Sequence, residues 1–242
     1  MPKRLIQQRR GKGSPTFKAP SHKFSVISKY RTYDDTEKTS KLSGTVVDLV
    51  HVRGKNAPVA VVKYETGEIM NVIAHEGMFV GQKVEIGHDA SIAKGNILPL
   101  GRVPEGTEIS NIELIPGDGG KIVKSAGNKA TVVSRDDKKV MIMLPSRKLK
   151  KFDLKSRAMV GIIAGGGATE KPLLKAGKSY HAMKNKAKVW PVVAGTAMNA
   201  INHPHGGGGR KKKKRKTVSR HSPPGTKVGS IAPKRTGRKK KK

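Results

Sequence analysis

The 242-residue sequence contains no cysteine, which excludes disulfide bonds and thiolate metal sites and agrees with a reducing compartment. Aromatic residues make up only 4% of the chain and hydrophobic residues 35%. This is too little apolar surface to offset the entropy of ordering every residue, about 1–2 kcal/mol for each backbone unit. Parts of the chain are therefore expected to become ordered only on a partner.

Long hydrophobic runs are also missing. No stretch approaches the roughly 18 apolar residues of a membrane-spanning helix, and the charged start, Met1 to Arg4, is not followed by an apolar run. No amphipathic helix accompanies the basic residues, as binding to a membrane surface would require. We therefore expect a cytoplasmic protein without a membrane partner.

Acidic residues are scarce, and none follows Glu170. Of the total net charge of +34, residues 1–42 carry +8, residues 43–170 carry +4 and residues 171–242 carry +22. Segments of one sign repel themselves and bind polyanions, because neutralising phosphates releases condensed counterions. The charge pattern predicts a nucleic-acid partner for both ends of the chain.

The middle of the chain has the texture of short strands, whereas the ends do not. Residues 1–42 are interpreted as a basic arm, residues 43–98 and 99–170 as two small β-barrels, and residues 171–242 as a basic Gly/Pro/Lys-rich extension. Gly95 to Gly106 is the expected joint, and Leu173 to Lys188 the expected short helix. The first barrel is predicted from Thr45–Val52, Pro58–Tyr64, Ile69–Ala74 and Lys83–Ile86; the second from Glu108–Ile115, Lys121–Lys124, Lys129–Ser134, Lys138–Leu144 and Met159–Ile163.

Two glycine-containing segments invite a nucleotide-binding interpretation. Ala176-Gly177-Lys178-Ser179 ends like a phosphate-binding loop, but Pro172 stands where its first glycine belongs and no buried strand precedes it. Gly165-Gly166-Gly167 follows an apolar run, but its spacing does not fit a dinucleotide site. We interpret it as a strand end whose backbone passes close to something bulky, such as a phosphate backbone.

Histidines and carboxylates are the remaining candidates for catalysis or metal binding. His203, His205 and His221 lie in a region with no acids to complete a metal site or orient a general base. Asp118, Asp136, Asp137 and Asp153 lie in or beside turns, where short acids usually stabilise the turn itself. We predict no catalytic residue, no metal, no cofactor and no small-molecule substrate.

The basic runs Arg210 to Lys216 and Arg238 to Lys242 resemble solvated tails in composition. Glycine before the first run, and Pro223-Pro224-Gly225 after it, favour instead an extended strand threading between phosphates. Few aromatic residues accompany these basic side chains. Contacts to the RNA backbone and recognition of RNA shape are therefore expected to dominate over stacking on nucleobases.

Several short sequence motifs in the C-terminal half resemble those of the L2 family of large-subunit ribosomal proteins, in its archaeal form. They are Val160 to Gly167, Lys171 to Gly177, Trp190-Pro191, Gly195 to Asn199 and His203 to Gly208. Their order over some fifty residues, with Pro223 to Gly225 and Arg235 to Arg238 after them, makes the resemblance specific. It extends over essentially the whole chain from Gln7 onward.

The resemblance implies an oligonucleotide-binding (OB) barrel followed by an SH3-like barrel, with both termini extended into rRNA. It also implies binding to large-subunit rRNA and neighbouring ribosomal proteins, a contact with the small subunit at an intersubunit bridge, and a His-Pro loop directed toward the peptidyl transferase centre. The expected role of that loop is to position RNA. The residues expected to bind rRNA are Arg53, Lys124, Met198, Asn199, His203, His205, Arg210, Lys211, Arg215, Arg235 and Arg238.

The sequence departs from the family pattern at two places. Ala200 stands where bacterial relatives usually carry proline, and the segment between Gly209 and Thr217 contains more lysine than the mixed sequence usual in the family.

Two other functions share some of these features. A DNA-compacting protein would share the charge but would show a groove-reading helix or apolar wedges, and an enzyme acting on phosphates would need an acid and base cluster.

Overall fold

The structure of the protein, a computed structural model, describes residues 3–18, 26–168, 170–185, 188–208 and 217–234. The chain forms two compact units, one of residues 21–173 and the other of residues 1–20 with 174–242. Among the described residues, no helix has the length and apolar character needed to cross a membrane.

The larger unit is built on one ten-stranded sheet in the order β3-β2-β1-β4-β5-β10-β6-β7-β8-β9. Its pairs are antiparallel except for a single parallel contact between β4 and β5. The strands are β1 Lys41–Val50, β2 Val59–Tyr64, β3 Ile69–Ile73, β4 Lys83–Gly87, β5 Ile97–Pro99, β6 Glu108–Ser110, β7 Ala130–Arg135, β8 Lys139–Met143, β9 Leu149–Asp153 and β10 Arg157–Val160. The prediction of a mainly β protein is therefore confirmed.

Strand β10 joins the two halves of this sheet. It pairs with β5 on one side and with β6 on the other, so that Met159 lies opposite both Ile97 and Ser110. Because side chains alternate along a strand, Met159 packs into the core formed by β1 to β4, whereas Ala158 and Val160 pack into the core formed by β6 to β9. One four-residue strand thus contributes to both hydrophobic cores.

One predicted strand is not formed, and two observed strands, β5 and β9, were not predicted. Lys121 to Lys124 forms only an isolated bridge, between Ile112 and Ile122, and not a strand. The expected joint, Gly95 to Gly106, contains strand β5 and a 3-10 turn at Leu100–Arg102. Strand β9 was not predicted, because its sequence is rich in lysine and only Phe152 in it is buried.

The end of the expected N-terminal arm is packed against the sheet. It contains helix α2, Asp35–Thr39, and the buried Tyr30, whose hydroxyl donates to the backbone carbonyl of Asn111 at 2.6 Å. The sequence analysis assigned no helix to the basic arm, so α2 is an element that the sequence did not predict. A five-residue helix gives too short a pattern to detect, and here tertiary packing stabilises it.

A buried ion network fastens α2 to the sheet. Arg157 donates to Glu37 and to Glu113, each at 2.7 Å, and Arg31 donates to the second oxygen of Glu37, also at 2.7 Å. Arg157, Glu37 and Glu113 are almost completely enclosed. Burial raises the pKa of the Glu37 carboxyl, and the two arginines oppose that shift. Since each charge has its partner, the network satisfies groups that would be costly to bury alone.

The described residues of the smaller unit form few regular elements. It contains α1 Ile6–Gly11, α3 Ala176–Asn185, a 3-10 turn at Gly195–Ala197, and a parallel pair of short strands, β11 Thr217–Val218 and β12 Ser230–Ile231. Leu5 and Val228 are its buried apolar residues in the described part of the chain. The expected helix at Leu173 to Lys188 is confirmed over α3.

Candidate nucleic-acid interface

Three loops of the larger unit approach each other closely at glycine residues, which have no side chain to keep the backbones apart. A Cβ on Gly165, which has φ +80°, would lie 3.0 Å from the carbonyl oxygen of Asn56, and one on Gly127 would lie 2.7 Å from the Cα of Gly166. The sequence predicted that the triple glycine passes something bulky. Among the described residues that neighbour is the protein's own backbone, which brings the loop of Arg53 to Asn56 beside the loop that follows Lys124.

Two lysines from these loops converge on one serine. The Lys55 Nζ donates to Ser28 Oγ at 2.8 Å, and the Lys124 Nζ donates to the Ser28 carbonyl at 3.1 Å and to the Gly120 carbonyl at 3.0 Å. They line a cavity of about 610 Å³ together with Lys29 and Lys121. In the described residues neither Lys55 nor Lys124 forms a salt bridge with a carboxylate.

The environment disfavours the charged form of both amines. Partial burial lowers the pKa of Lys55 and of Lys124, and for Lys124 the neighbouring charges of Lys55 and Lys29 lower it further. Asp118, the acid in this cavity, accepts backbone N–H bonds from Leu114 and Ile115 and lies 3.4 Å from Lys121. An external anion would favour the charged amines, and so offset both the cost of their desolvation and the repulsion between the lysines. Phosphate oxygens are suitable acceptors for such ammonium groups.

The two predicted rRNA-binding residues of this unit lie in different surroundings. Lys124 lies within the cavity, whereas Arg53 is exposed at a turn on the loop that carries Lys55. Sequence reasoning missed Lys55 and Ser28. The available signal for Lys55 was its place in the turn Gly54-Lys55-Asn56, directly after Arg53. Ser28 had no such signal, because its role depends on a fold contact 96 residues away in sequence.

In the smaller unit, the His-Pro loop is closed by its own backbone. The N–H of Gly207 donates to the Met198 carbonyl at 2.9 Å, and the N–H of Gly206 donates to the His203 carbonyl at 2.8 Å. A Cβ on Gly206 would lie 2.3 Å from the Asn199 carbonyl oxygen. The loop therefore requires glycine there, and Met198, Asn199, His203 and His205 all lie within it.

The orientation of His203 fixes its tautomer. The backbone N–H of His205 donates to His203 Nδ1 at 3.0 Å, so that nitrogen must be unprotonated. Desolvation and the nearby His205 lower the pKa of His203, which favours the neutral ring. Neutral His203 therefore carries its proton on Nε2, and that N–H makes no hydrogen bond within the described residues. The ring edge lies against Gly195, where a Cβ would be 2.2 Å from its Cε1.

Five of the predicted rRNA contacts, Arg210, Lys211, Arg215, Arg235 and Arg238, lie outside the described residues, as do both basic runs. The predicted turn role is confirmed for Asp118 and for Asp153, which accepts the N–H of Lys155 at 2.8 Å. No group of three or more His, Asp or Glu side chains suited to a metal ion occurs in the part of the chain that the structure describes.

Comparison with known proteins agrees with the resemblance seen in the sequence. Residues 2–86 match the family model "Ribosomal Proteins L2, RNA binding N-terminal domain", and residues 93–225 match "Ribosomal Proteins L2, C-terminal domain". Proteins named large ribosomal subunit protein uL2 from Methanosphaera stadtmanae and Methanothermobacter thermautotrophicus are each 52% identical over 241 residues, covering 99% of this chain and 100% of the relative. One from Methanococcus maripaludis is 51% identical over 240 residues, with the same coverage. The chain therefore belongs to the ribosomal protein L2 family.

Proposed function

We propose that this chain is a structural constituent of the large ribosomal subunit, where it binds rRNA, supports subunit association and contributes to the architecture near the peptidyl transferase centre. It works in the cytoplasm as part of the ribosome, and it is not an enzyme. The named relatives are large-subunit proteins, and the family model that matches residues 2–86 is described as RNA binding.

The observation that carries RNA binding is the pair of lysines at Ser28. Lys55 and Lys124 are held together and partly desolvated, without a carboxylate partner among the described residues. Such a pair is costly in the free protein and becomes favourable when a phosphate enters the cavity. Arg53, exposed on the loop of Lys55, extends the basic surface toward the rest of the RNA backbone.

The ten-stranded sheet supports a division into two barrels, an OB-type barrel from β1 to β5 and an SH3-like barrel from β6 to β10. The two separate hydrophobic cores favour this division, with β1 to β4 around one core, β6 to β9 around the other, and β5 and β10 contributing side chains to both. We assign residues 1–42 as a basic N-terminal arm, residues 43–98 and 99–170 as the two barrels, and residues 171–242 as the RNA-binding extension.

The His-Pro loop is assigned to the rRNA near the peptidyl transferase centre, as a positioning element. Its compact backbone and the Nε2–H of His203, which makes no hydrogen bond within the described residues, suit recognition of an RNA acceptor. Further rRNA contacts are assigned to Met198, Asn199 and His205 and to five arginines and lysines beyond them: Arg210, Lys211, Arg215, Arg235 and Arg238. Neighbouring ribosomal proteins and the small subunit, at an intersubunit bridge, are the remaining partners.

Sedimentation and RNA binding test the proposed function directly. In a sucrose gradient of cell extract, we expect the protein to migrate with large subunits at moderate and at high salt. A peak in nucleoid or free-protein fractions would overturn the proposal in favour of DNA compaction.

With purified full-length protein, Lys124→Met should weaken rRNA binding and reduce the salt dependence of log K by about one phosphate contact. The control is Lys148→Met, on an exposed turn, which should change neither the affinity nor the salt dependence by a comparable amount.

A further inference from the structure

A second cavity of the larger unit lies away from the Ser28 lysines and has a different chemistry. It encloses about 490 Å³ between α2, the end of β4, the 3-10 turn after β5 and the turn between β9 and β10. Its walls are mainly apolar and consist of Tyr33, Pro99, Gly101 and Leu154, with His88 beside them. Cationic side chains surround the opening, namely Lys38, Arg102 and Lys155.

The walls of this cavity are held firmly. Tyr33 lies under the guanidinium of the buried Arg157, with its ring centroid 5.0 Å from Cζ. The Gly101 N–H donates to the Leu154 carbonyl at 2.9 Å, and the Leu100 N–H donates to the Ser156 carbonyl at 2.8 Å. Because the buried ion network fixes Arg157, the aromatic wall stays in place without a ligand, and little ordering entropy remains to be lost on binding.

The charges at the opening differ in how they are neutralised. Lys38 is paired with Asp35 at 2.6 Å, and Arg102 lies 3.4 Å from Asp89 and donates to the His88 carbonyl at 3.3 Å. Lys155 is exposed, and in the described part of the chain it forms no salt bridge. The opening therefore offers one unneutralised ammonium beside an apolar, aromatic-walled cavity.

We propose that this cavity receives a single unpaired base of the rRNA, packed against Tyr33, Pro99 and Leu154, with the adjoining phosphate at Lys155. RNA-binding proteins recognise splayed bases in this way, by packing the base face on aromatic and apolar side chains while cations hold the backbone. The basic opening favours a nucleotide over an apolar protein side chain. The proposal rests on the proposed rRNA binding and adds a base contact to the backbone contacts of the Ser28 cavity.

Gly101 offers a way to fill the cavity without touching its charges. A Cβ at Gly101 would lie 3.4 Å from the Leu154 side chain, an ordinary contact, and its φ is outside the left-handed region. The Gly101→Leu protein should therefore fold, and its leucine side chain should occupy the space proposed for the base. Lys155→Ala removes the proposed phosphate contact, and Lys151→Ala, an exposed lysine of β9, is its matched control.

The first experiment is chemical probing of purified large-subunit rRNA bound to full-length protein at fixed salt. We expect the wild type to protect the base-pairing edge of one unpaired nucleotide, and Gly101→Leu to restore its reactivity while other protections remain. Affinity should fall about tenfold in Gly101→Leu, and more in Lys155→Ala than in Lys151→Ala. Unchanged protection and affinity in a folded Gly101→Leu protein would overturn the proposal.

A cross-linker at the opening keeps the test independent of whether Gly101→Leu folds. Replacing the exposed Lys155 by p-benzoylphenylalanine in full-length protein, and irradiating assembled large subunits, should link it to one rRNA nucleotide, the same one that probing identifies. A cross-link to a neighbouring protein instead would overturn the base assignment. If Lys124→Met weakens rRNA binding while Gly101→Leu does not, this inference fails and the proposed function stands; if the wild type binds no rRNA, both fail.

Discussion

His203 is a hydrogen-bond donor whose direction the loop has already set. The His205 N–H occupies its Nδ1, and the Nε2 proton points away from that contact. Because burial and His205 lower its pKa below the ordinary value of about 6.5, the folded loop binds a proton less readily than the unfolded chain. The ordered loop is therefore favoured near neutral pH and is weakened as the pH falls below that ordinary value.

Substitution of His203 by asparagine or by glutamine distinguishes the roles of its two ring nitrogens. Asparagine can accept the His205 N–H but has nothing at the Nε2 position, whereas glutamine places an amide donor there. We expect His203→Gln to retain most of the translation rate of purified ribosomes and His203→Asn to lose more of it, with both proteins incorporated into large subunits. Equal activity of the two variants would show that the Nε2 donor has no part in binding RNA.

Glu37 tests whether the buried charges stabilise the fold. Removing it leaves Arg157 with one carboxylate instead of two, in a site that excludes water. Glu37→Ala should lower the free energy of unfolding by about 3–5 kcal/mol, measured by denaturant titration. Asp35→Ala, on the solvent side of the same helix, is the control and should leave the denaturation midpoint unchanged. Similar midpoints for the two variants would contradict a stabilising role for the network.

At the scale of elements, the three loops around the triple glycine position the lysine pair. Gly165 and Gly167 both have φ near +80°, so alanine at either position carries a similar backbone strain. A Cβ at Gly165 would also press on the Asn56 carbonyl and the Ala126 side chain, whereas a Cβ at Gly167 meets nothing within 4 Å. Gly165→Ala should therefore push the loop that carries Lys55 outward.

The expected result is a loss of rRNA affinity that is greater for Gly165→Ala than for Gly167→Ala, together with a lower melting temperature. A filter-binding titration at fixed salt measures the first and circular dichroism the second. If the two variants bind rRNA equally well, the packing of the glycine loop does not set the positions of Lys55 and Lys124.

Elements with strong patterns were predictable from the sequence, and elements defined by distant partners were not. The alternating β-branched residues of β2, β3, β7 and β8 led to correct strands. Strand β5 was missed because Ile97-Leu98-Pro99 is short and stands among glycines and prolines. The burial of Arg157 could not be foreseen, since its carboxylate partners lie 120 and 44 residues away in sequence.

The same distinction holds for the candidate site. Sequence motifs identified the His-Pro loop, because its residues are neighbours in sequence. The Ser28 cavity and the Tyr33 cavity are each assembled from several elements. Lysines at turns are common on any basic surface, so only the fold distinguishes the partly buried Lys55 and Lys124 from exposed ones.

At the scale of the whole molecule, folding information and charge are carried by different segments. All ten strands of the large sheet, and nearly all residues of its two cores, lie between Lys41 and Ile163, where the charge is close to balanced. Residues 171–242 carry a net charge of +22, and those of them that the structure describes contribute no strand to that sheet. The sheet should therefore not depend on the C-terminal extension for its stability, while RNA affinity should depend on it heavily.

Deletion of residues 174–242 tests this separation. We expect the β circular dichroism and the cooperative thermal transition of the sheet to persist, because its hydrogen-bond partners remain. Binding to rRNA should survive through the Ser28 cavity but weaken, and log K should vary less steeply with log salt, because fewer counterions are released. Loss of the thermal transition would show that the sheet needs the extension. An unchanged salt slope would show that the basic extension does not contact phosphate.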